Sequence, residues 1–548
     1  MDNWVWWKHG VIYQIYPRSF YDSTGDGIGD INGIIEKLDY LSELGVDGVW
    51  LSPINKSPMY DFGYDISDYR DIDPAFGTPT DYERLLEEAH KRGIKILMDL
   101  VMNYTSHLHP WFTESRSSRD NPKRDWYIWH DGKNGRPPNN WKGIFGGRAW
   151  ERDEKTGQFY MHSFLKEMPD VNWRNKELKN AMFDMIRYWL DKGVDGFRLD
   201  VVNLYIKDDE FRNNPFTIGP TPRPYDMQKH IYDKNRPEIH DILREFRKIL
   251  DSYSDKMSVG EIFVEPVDPR ISQGYLGDGE DELHLAFDFG LIITKSSARL
   301  LKWGAKRFLD VIEKRNSFIP EKGWPCNVLS NHDNPRSISR FKGGKEAIKR
   351  AKVISTMLLT LRGTPFIYYG EEIGMRDGKM KHKDIMDPMG KKYWPLYTGR
   401  DPERTPMQWS PDENAGFTTG RPWLPVNNDF HLVNVETESQ DPDSLLNLNK
   451  RLISLRKEKD AMNRGEWYSA KDASDDVMAY YRVKEDQKIL VVLNFSNSPR
   501  PLKIDDQGVW KNIFSTHKPV GDTFKNIDFT LSPYEATILE QEGSGLQT

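Results

Sequence analysis

Short apolar runs rich in β-branched residues alternate along the chain with stretches in which apolar residues recur every three or four positions. The first pattern predicts strands and the second predicts amphipathic helices. Repeated strand–helix alternation favours right-handed βαβ units, and eight units favour a closed (β/α)8 TIM barrel over an open sheet. The predicted strands are Val11–Pro17, Asp47–Pro53, Ile94–Val101, Gly196–Val202, Met257–Ile262, His284–Phe289, Asn327–His332 and Thr364–Tyr369.

Two connections are too long for ordinary loops, and the pattern changes near the carboxyl end. The first connection follows the third strand, and the second covers residues 371–430. Connections of this length are typical of functional segments or small subdomains. After residue 463, alternating runs such as Val477–Val483 predict an antiparallel β-sandwich. We therefore predict a barrel over residues 1–103 and 173–462, an inserted subdomain over 104–172, and a β-sandwich over 463–548.

Composition and charge narrow the class of function. The chain has 548 residues, a formal net charge of −7 and one cysteine, Cys326. This length predicts several domains, and the negative charge does not favour nucleic acid or an anionic membrane as a partner. No apolar stretch reaches transmembrane length, and the amino-terminal residues lack a signal-like apolar run. We expect a cytoplasmic protein with no internal disulfide.

Three acidic residues lie at or just past the ends of predicted strands. They are Asp200, Glu261 and Asp333. In a parallel barrel the strand ends converge on one mouth, where active sites form. Three carboxylates in one mouth suit acid/base and nucleophilic chemistry on a neutral, polyhydroxylated substrate.

The neighbours of these acids suggest separate roles. Arg198 and Asp200 share one face of a strand, so the arginine is expected to keep Asp200 ionised as a nucleophile; a structural ion pair is the alternative. A glutamate facing an apolar pocket can have its pKa raised toward roughly 6, which suits a general acid. Glu261 fits that role, and a solvated strand-end glutamate is its alternative.

At these residues the chain resembles the α-amylase superfamily and, within it, the α-glucosidases that cleave short oligosaccharides. The resemblance implies that Asp200 is the nucleophile, that Glu261 is the general acid/base, and that Asp333 holds sugar hydroxyls. It also implies retention of anomeric configuration, with the first two carboxyl groups roughly 5–5.5 Å apart. The matching segments are Asp99–Asn103, Met168–Trp173, Gly196–Asp200, Gly260–Glu261 and Asn331–Asp333.

The resemblance further implies the residues that bind substrate. Asp61 and Arg400 would close the end of the pocket, which implies release of glucose from the non-reducing end. Tyr104 stands where the family has a histidine, and this departure predicts reduced or shifted activity. The other implied pocket residues are Tyr64, Phe164, Arg198 and His332.

An oxygen-rich, glycine-containing loop covers residues 22–30. It resembles the first half of an EF-hand loop, but Gly33 stands where a bidentate glutamate would be. The family resemblance implies a structural Ca²⁺ here, and a plain glycine turn is the alternative; catalysis needs no cofactor. The implied ligands are the side chains of Asp22, Thr24, Asp26 and Asp30 and the carbonyl of Ile28.

Substrate preference has conflicting signals. Val201 is typical of relatives that accept α-1,6 links, whereas Asp61–Tyr64 and residues 208–215 resemble α-1,4-acting enzymes. We expect a maltase-type, exo-acting α-glucosidase on small oligosaccharides, as a monomer or a homodimer. The alternatives are an oligo-1,6-glucosidase, a transglycosylating or sucrose-isomerising enzyme, and a non-catalytic relative like transporter subunits. The absence of an Arg-Leu-Asp-Arg motif between Glu261 and Asn331 argues against sucrose isomerisation.

Overall fold

Eight parallel strands form the centre of the protein. The computed structural model describes residues 4–219, 221, 223–264, 267–293, 301–470 and 474–542, so the outermost ends of the predicted domains lie outside the described residues. The strands are β1 (Ile12–Ile15), β2 (Gly48–Leu51), β3 (Lys95–Leu100), β4 (Gly196–Leu199), β5 (Met257–Glu261), β6 (Leu285–Phe287), β7 (Cys326–Val328) and β8 (Thr364–Tyr368). Their order runs from β6 through β1 to β8 and β7, and the end strands β6 and β7 lie in contact. The predicted barrel is confirmed.

Helices follow the strands and cover the outside of the barrel. Each helix buries one apolar face. At the start of the helix Pro79–Lys91, Thr78 and Asp81 form a reciprocal capping box. Its buried side chains recur at helical spacing, which is the pattern visible in the sequence. The helices are α1 (Leu38–Leu44), α2 (Pro79–Lys91), α3 (Lys176–Asp191), α4 (Ile239–Asp251), α5 (Pro269–Gly274), α6 (Ala305–Asn316), α7 (Ala347–Thr360) and α8 (Leu445–Glu458).

The strand period of two decides which side chains enter the barrel. In β5, Met257 and Val259 belong to the apolar cluster inside the barrel, and Glu261 is the next residue in the same alternation. In β4, Phe197 and Leu199 belong to the cluster that also contains the surrounding helices, which leaves Arg198 for the interior. Apolar residues thus fill the interior, and charged residues lie above them near the strand ends.

The long connection after β3 has a core of its own. It contains a short helix, Pro110–Ser115, and a three-stranded antiparallel sheet of Trp129–His130, Trp150–Arg152 and Phe159–Met161. A small cluster of Trp141, Ala149, Trp150, Phe159 and Met161 is buried there. Tyr104 and Asp170 pair in an antiparallel bridge, which joins the two ends of the segment. The exact domain boundaries stay predictions.

The carboxyl-terminal region is a two-layer antiparallel structure, as predicted. A cluster that includes Leu490, Leu502, Trp510 and Ile527 fills the space between its layers, while Trp303 donates to the carbonyl of Phe495 and ties it to the barrel. Strands Arg500–Ile504 and Ile527–Leu531 pair over a six-stranded sheet of Glu466–Ser469, Val477–Lys484, Gln487–Asn494, Ala536–Glu542, Val509–Ser515 and Thr523–Phe524. Within the described ranges, no helix combines the length and apolarity needed to cross a bilayer.

Candidate active site

The structure brings Asp200, Glu261 and Asp333 into one cavity of about 240 Å³ at the carboxyl ends of the strands. This volume is below the roughly 300–1,000 Å³ of drug-sized pockets, so it suits a small ligand. The lining residues are Asp61, Tyr64, Tyr104, Ile144, Phe145, Phe164, Asp200, Val201, Arg223, Glu261, Phe263, Phe289, Ile293, Asp333, Asn334, Met389, Tyr397 and Arg400.

One buried guanidinium group, that of Arg198, contacts three carboxyl groups. Its Nη1 donates to Asp99 Oδ1 and to Asp200 Oδ1, at 2.8 Å in both cases, and its Nη2 donates to Glu261 Oε2. A single positive charge does not neutralise three buried carboxylates, so the cluster favours keeping a proton. Burial, helped by the charge of Asp200 and opposed by Arg198, raises the pKa of Glu261 to about 8. Glu261 is therefore suited to carry that proton at neutral pH.

Asp200 accepts one hydrogen bond on each oxygen. Arg198 donates to Oδ1, and the hydroxyl of Tyr104 donates to Oδ2 at 2.8 Å. Burial raises the pKa of Asp200 above its ordinary value, and the two donors oppose that rise. The sequence predicts that Arg198 keeps Asp200 ionised; in the structure burial opposes that effect, and the hydrogen bond from Tyr104 supports it.

His332 is a neutral hydrogen-bonding residue in this site. Gln14 donates to its Nδ1 at 2.8 Å, so the proton resides on Nε2, which donates to the Tyr64 oxygen at 2.6 Å. Tyr64 in turn donates to Asp99 Oδ2 at 3.1 Å and stacks on the His332 ring. Burial lowers the pKa of His332 to about 3. His332 is therefore a neutral hydrogen-bond donor that orients the hydroxyl of Tyr64.

Arg400 joins two walls of the cavity. Its Nη2 donates to Asp61 Oδ1 at 2.5 Å, and its Nη1 donates to Asp333 Oδ1 at 3.1 Å. Arg404 adds a second donor to the same Asp333 oxygen at 2.8 Å. Burial opposes ionisation of Asp333, but the positive charges of Arg400 and Arg404 hold its pKa below the usual range. Asp333 thus differs from Glu261, because it stays a carboxylate while Glu261 is protonated.

Sequence reasoning missed Asp387 and Arg404, which support this wall. The buried carboxylate of Asp387 accepts from Arg400 Nε at 2.9 Å and from Arg400 Nη2 at 2.6 Å. Both residues lie in the long connection after β8, where no strand end marks a functional position. The only signal was the unusual length of that connection.

Aromatic rings form the remaining wall. The rings of Tyr104 and Phe164 meet edge to face at 5.2 Å between centroids, and Phe164 meets Phe145 in the same way at 5.3 Å. The guanidinium carbon of Arg400 lies 4.9 Å from the centroid of Phe145. Such rings offer apolar surface to the C–H faces of a sugar while the arginine and acids contact its hydroxyls.

Val201 turns the chain immediately after Asp200. Its φ of 36° and ψ of 49° lie in the left-handed region, which is rare for a β-branched residue. The turn leads into a short 3-10 helix, Val202–Leu204, and directs the Val201 N–H toward Glu261 Oε2 at 3.4 Å. The left-handed conformation of Val201 therefore ends the strand that carries Asp200 and places a backbone donor beside Glu261.

The glycine-rich loop at residues 22–30 is braced by hydrogen bonds. Asp22 accepts from the N–H groups of Thr24, Gly25 and Gly27, and Asp30 accepts from Gly33 and caps the helix Ile31–Glu36. The described residues hold no grouping of three or more acidic, histidine or cysteine side chains arranged for a metal ion. This geometry is that of a braced turn, so the calcium hypothesis gains no support here.

Acidic groups of which one is protonated and another ionised, in a barrel mouth walled by aromatic rings, are typical of glycoside hydrolases. Comparison with known families agrees: residues 14–465 match the alpha amylase catalytic domain, and residues 477–538 match the alpha-amylase SusG C-terminal domain. The chain belongs to the α-amylase family.

Individual relatives match nearly the whole chain. It is 43% identical to an oligo-1,6-glucosidase of Parageobacillus thermoglucosidasius, covering 97% of this chain and 98% of the relative. It is 41% identical to a probable alpha-glucosidase of Rhizobium meliloti, covering 90% of each. Among solved structures, an alpha-glucosyl transfer enzyme, XgtA, is similar with a TM-score of 0.92 and 38% identity, covering 98% of this chain and 100% of the other. The trehalulose synthase MutB of Pseudomonas mesoacidophila MX-45 is similar with a TM-score of 0.88 and 37% identity, covering 98% and 99%.

Proposed function

We propose that the protein is a retaining, exo-acting α-glucosidase that releases terminal, non-reducing α-linked glucose from short oligosaccharides of the maltose type. The observation that carries this proposal is the contact of one guanidinium group, that of Arg198, with both Asp200 and Glu261. A shared partner keeps the two carboxyl groups close. Close carboxyl groups favour the roughly 5–5.5 Å spacing of retaining enzymes over the wider spacing of inverting ones.

In the first step, an oxygen of Asp200 attacks the anomeric carbon and the glycosidic C–O bond breaks. Glu261, protonated because its pKa is raised to about 8, gives its proton to the departing oxygen. In the second step, Glu261 takes a proton from water, which attacks the anomeric carbon and frees Asp200. Asp333 stays ionised and accepts hydrogen bonds from sugar hydroxyls throughout. No cofactor enters this sequence.

The Asp61–Arg400 pair supports exo action. Both groups are buried, and their contact lies on the wall of the cavity beside Asp333. A charged pair that closes a pocket offers both an acceptor and a donor to the hydroxyls of a terminal sugar. A long glucan threaded through the site would have to break this pair.

A second candidate, an oligo-1,6-glucosidase, is favoured by Val201 at the turn after Asp200 and by the names of several relatives. Transglycosylation and sucrose isomerisation are supported by the solved structures that the chain resembles. The Arg-Leu-Asp-Arg motif of sucrose isomerases is absent from the sequence between Glu261 and Asn331, which argues against isomerisation.

A substrate panel tests the proposal. Purified enzyme is given maltose, isomaltose and sucrose, and the anomer of glucose first released from a nitrophenyl α-glucoside is followed by NMR. We expect hydrolysis of maltose, with α-glucose appearing first from the nitrophenyl α-glucoside; β-glucose first contradicts a retaining mechanism, and cleavage of isomaltose alone selects the second candidate. Isomaltulose or trehalulose from sucrose would select the isomerase. Unchanged activity of Asp200→Asn on a nitrophenyl α-glucoside would refute the catalytic assignment.

Three further expectations accompany this proposal. Calcium at residues 22–30 predicts that adding CaCl2 to chelator-treated protein raises Tm, and an unchanged Tm argues against it. Monomer and homodimer are distinguished by sedimentation equilibrium. The cytoplasmic location stays a prediction.

A further inference from the structure

Tyr104 is held rigidly against the proposed nucleophile. Its side chain is 2% exposed, and its hydroxyl donates to Asp200 Oδ2 at 2.8 Å. Its backbone pairs with Asp170, its carbonyl accepts from Tyr69, and its ring lies against Phe164. The backbone contacts fix the position of Tyr104, Phe164 packs against its ring, and the bond to Asp200 sets the direction of its hydroxyl.

The two oxygens of Asp200 face different surroundings. Oδ1 accepts from Arg198, which is 1% exposed and lies inside the barrel. Oδ2 accepts from Tyr104, which lines the cavity. The cavity side of the carboxylate is therefore the Oδ2 side, and the oxygen placed to attack a sugar is the one that Tyr104 contacts.

We propose that Tyr104 is a catalytic hydrogen-bond donor that promotes release of Asp200 from the covalent glucosyl-enzyme. This inference rests on the proposed retaining function. In the first step Oδ2 forms a bond to the anomeric carbon, the glycosidic bond breaks, and its electron pair leaves with the oxygen that Glu261 protonates. In the second step water forms the new bond to that carbon, and the electron pair of the broken C–Oδ2 bond returns to Asp200.

The strength of the Tyr104 hydrogen bond changes during these steps. A carboxylate oxygen is a charged acceptor, whereas the alkyl oxygen of an ester is a weak, neutral one. The bond therefore weakens as Asp200 attacks and strengthens as Asp200 departs. Only an interaction that grows toward the transition state accelerates a step. Tyr104 consequently slows formation of the covalent intermediate and speeds its breakdown.

The phenol keeps its proton throughout. Burial, together with the charges of Asp200 and Asp61, raises the pKa of Tyr104 well above its ordinary value. The hydroxyl is thus a neutral donor at neutral pH. Proton transfer stays with Glu261, and Tyr104 acts only through its hydrogen bond.

The test compares Tyr104→Phe with wild type and with Tyr127→Phe. The first variant keeps the ring but removes the donor; the second removes another buried hydroxyl of the same segment, one that contacts Thr105 rather than Asp200. Nitrophenol release from a nitrophenyl α-glucoside is followed by stopped flow, and acid-quenched enzyme is weighed by mass spectrometry. For Tyr104→Phe we expect a burst near one equivalent, a glucosyl adduct, and a kcat lowered roughly tenfold or more.

Several outcomes overturn the inference. A Tyr104→Phe variant without a burst or adduct, whose kcat and kcat/KM fall together, shows that the hydroxyl has only a structural role. The same burst in Tyr127→Phe shows a general loosening of the segment. If Tyr104→Phe does not fold, 3-fluorotyrosine at position 104 replaces it: this more acidic, nearly isosteric donor is expected to speed breakdown of the adduct, and an unchanged rate overturns the inference.

These results are distinct from failure of the proposed function. If wild type releases β-glucose first, or if Asp200→Asn keeps full activity, the retaining assignment itself is wrong. If wild type releases α-glucose first and Asp200→Asn is inactive, but Tyr104→Phe accumulates no adduct, only the role given to Tyr104 is wrong.

Discussion

Replacing Asp387 by asparagine is expected to weaken sugar binding although Asp387 does not line the cavity. Its buried carboxylate accepts from Nε and Nη2 of Arg400 at 2.9 and 2.6 Å, and also from the N–H of Gly390 at 3.1 Å. Asparagine keeps the shape, but it has one acceptor oxygen and presents an NH2 group to donors. The guanidinium group then loses the anchor that directs it to Asp61 and Asp333.

The size of the effect follows from the charge lost. Both side-chain bonds of Arg400 end on Asp387 Oδ1, and the N–H of Gly390 donates to Oδ2. An amide oxygen in the place of Oδ1 would keep the two bonds as weaker, neutral ones. A hydrogen bond to a charged group contributes about 1.5–3 kcal/mol and a neutral one about 0.5–1.5 kcal/mol, so weakening the two bonds by about 1.5–3 kcal/mol together corresponds to a roughly 10- to 150-fold fall in kcat/KM. Since Arg400 would bind hydroxyls away from the breaking bond, most of the loss should appear as a higher KM. Steady-state kinetics on maltose measure this, with circular dichroism to confirm folding.

Asp384→Asn is the matched control. Asp384 lies three residues before Asp387, but its side chain makes no hydrogen bond to Arg400, as far as the described residues show. This variant should keep kcat/KM within about twofold, as is usual for surface changes. If Asp387→Asn also kept kcat/KM within twofold of wild type, Asp387 would not be what positions Arg400.

Three further predictions address the carboxyl cluster and the fold. Because the pKa of Glu261 is raised to about 8 and its acid form is required, kcat/KM should fall as pH rises through about 8. The folding stability linked to this shift is fully present below the pKa of Glu261 in the unfolded chain, and it is lost as pH rises through the folded pKa of about 8. A pH–rate profile without an alkaline limb near 8 contradicts this. Arg198→Lys should lower kcat roughly 100-fold, because a single ammonium group does not contact Asp200 and Glu261 together as the two nitrogens of the guanidinium group do. A kcat within threefold of wild type would refute this prediction. Tyr13 and Tyr40 both donate to Glu372 Oε1, at 2.7 and 2.6 Å. Replacing both by Phe should lower unfolding free energy by about 1–3 kcal/mol with kcat unchanged; an unchanged melting curve contradicts it.

The barrel was predictable because its signals are local. Each strand is a short apolar run, and the helix between two strands carries its own period and caps, as with Thr78 before α2. The convergence of Asp200, Glu261 and Asp333 followed from topology, since parallel strands bring their carboxyl ends to one mouth. No long-range contact had to be known for either prediction.

The supporting partners could not be predicted in the same way. Asp387 and Arg404 come from a connection without regular strands, and only the folded chain shows that they face Arg400 and Asp333. The protonation pattern was equally hidden, because it depends on how many acids share Arg198 and how deeply each is buried. The sequence predicts correctly that the pKa of Glu261 is raised. It does not show that Asp99, Asp200 and Glu261 share one arginine, which is why the cluster keeps a proton.

The two arginine-centred clusters explain why three similar carboxyl groups behave differently. Arg198 serves Asp99, Asp200 and Glu261, so acids outnumber cations and burial raises the pKa of Glu261. On the opposite wall two cations, Arg400 and Arg404, meet at Asp333, which is consequently ionised. The acid that must carry a proton therefore shares a single arginine with two other acids, and the acid that must accept from hydroxyls is contacted by two arginines. Removing a charge from the Arg400 wall, as Asp387→Asn does, should alter binding before it alters proton transfer.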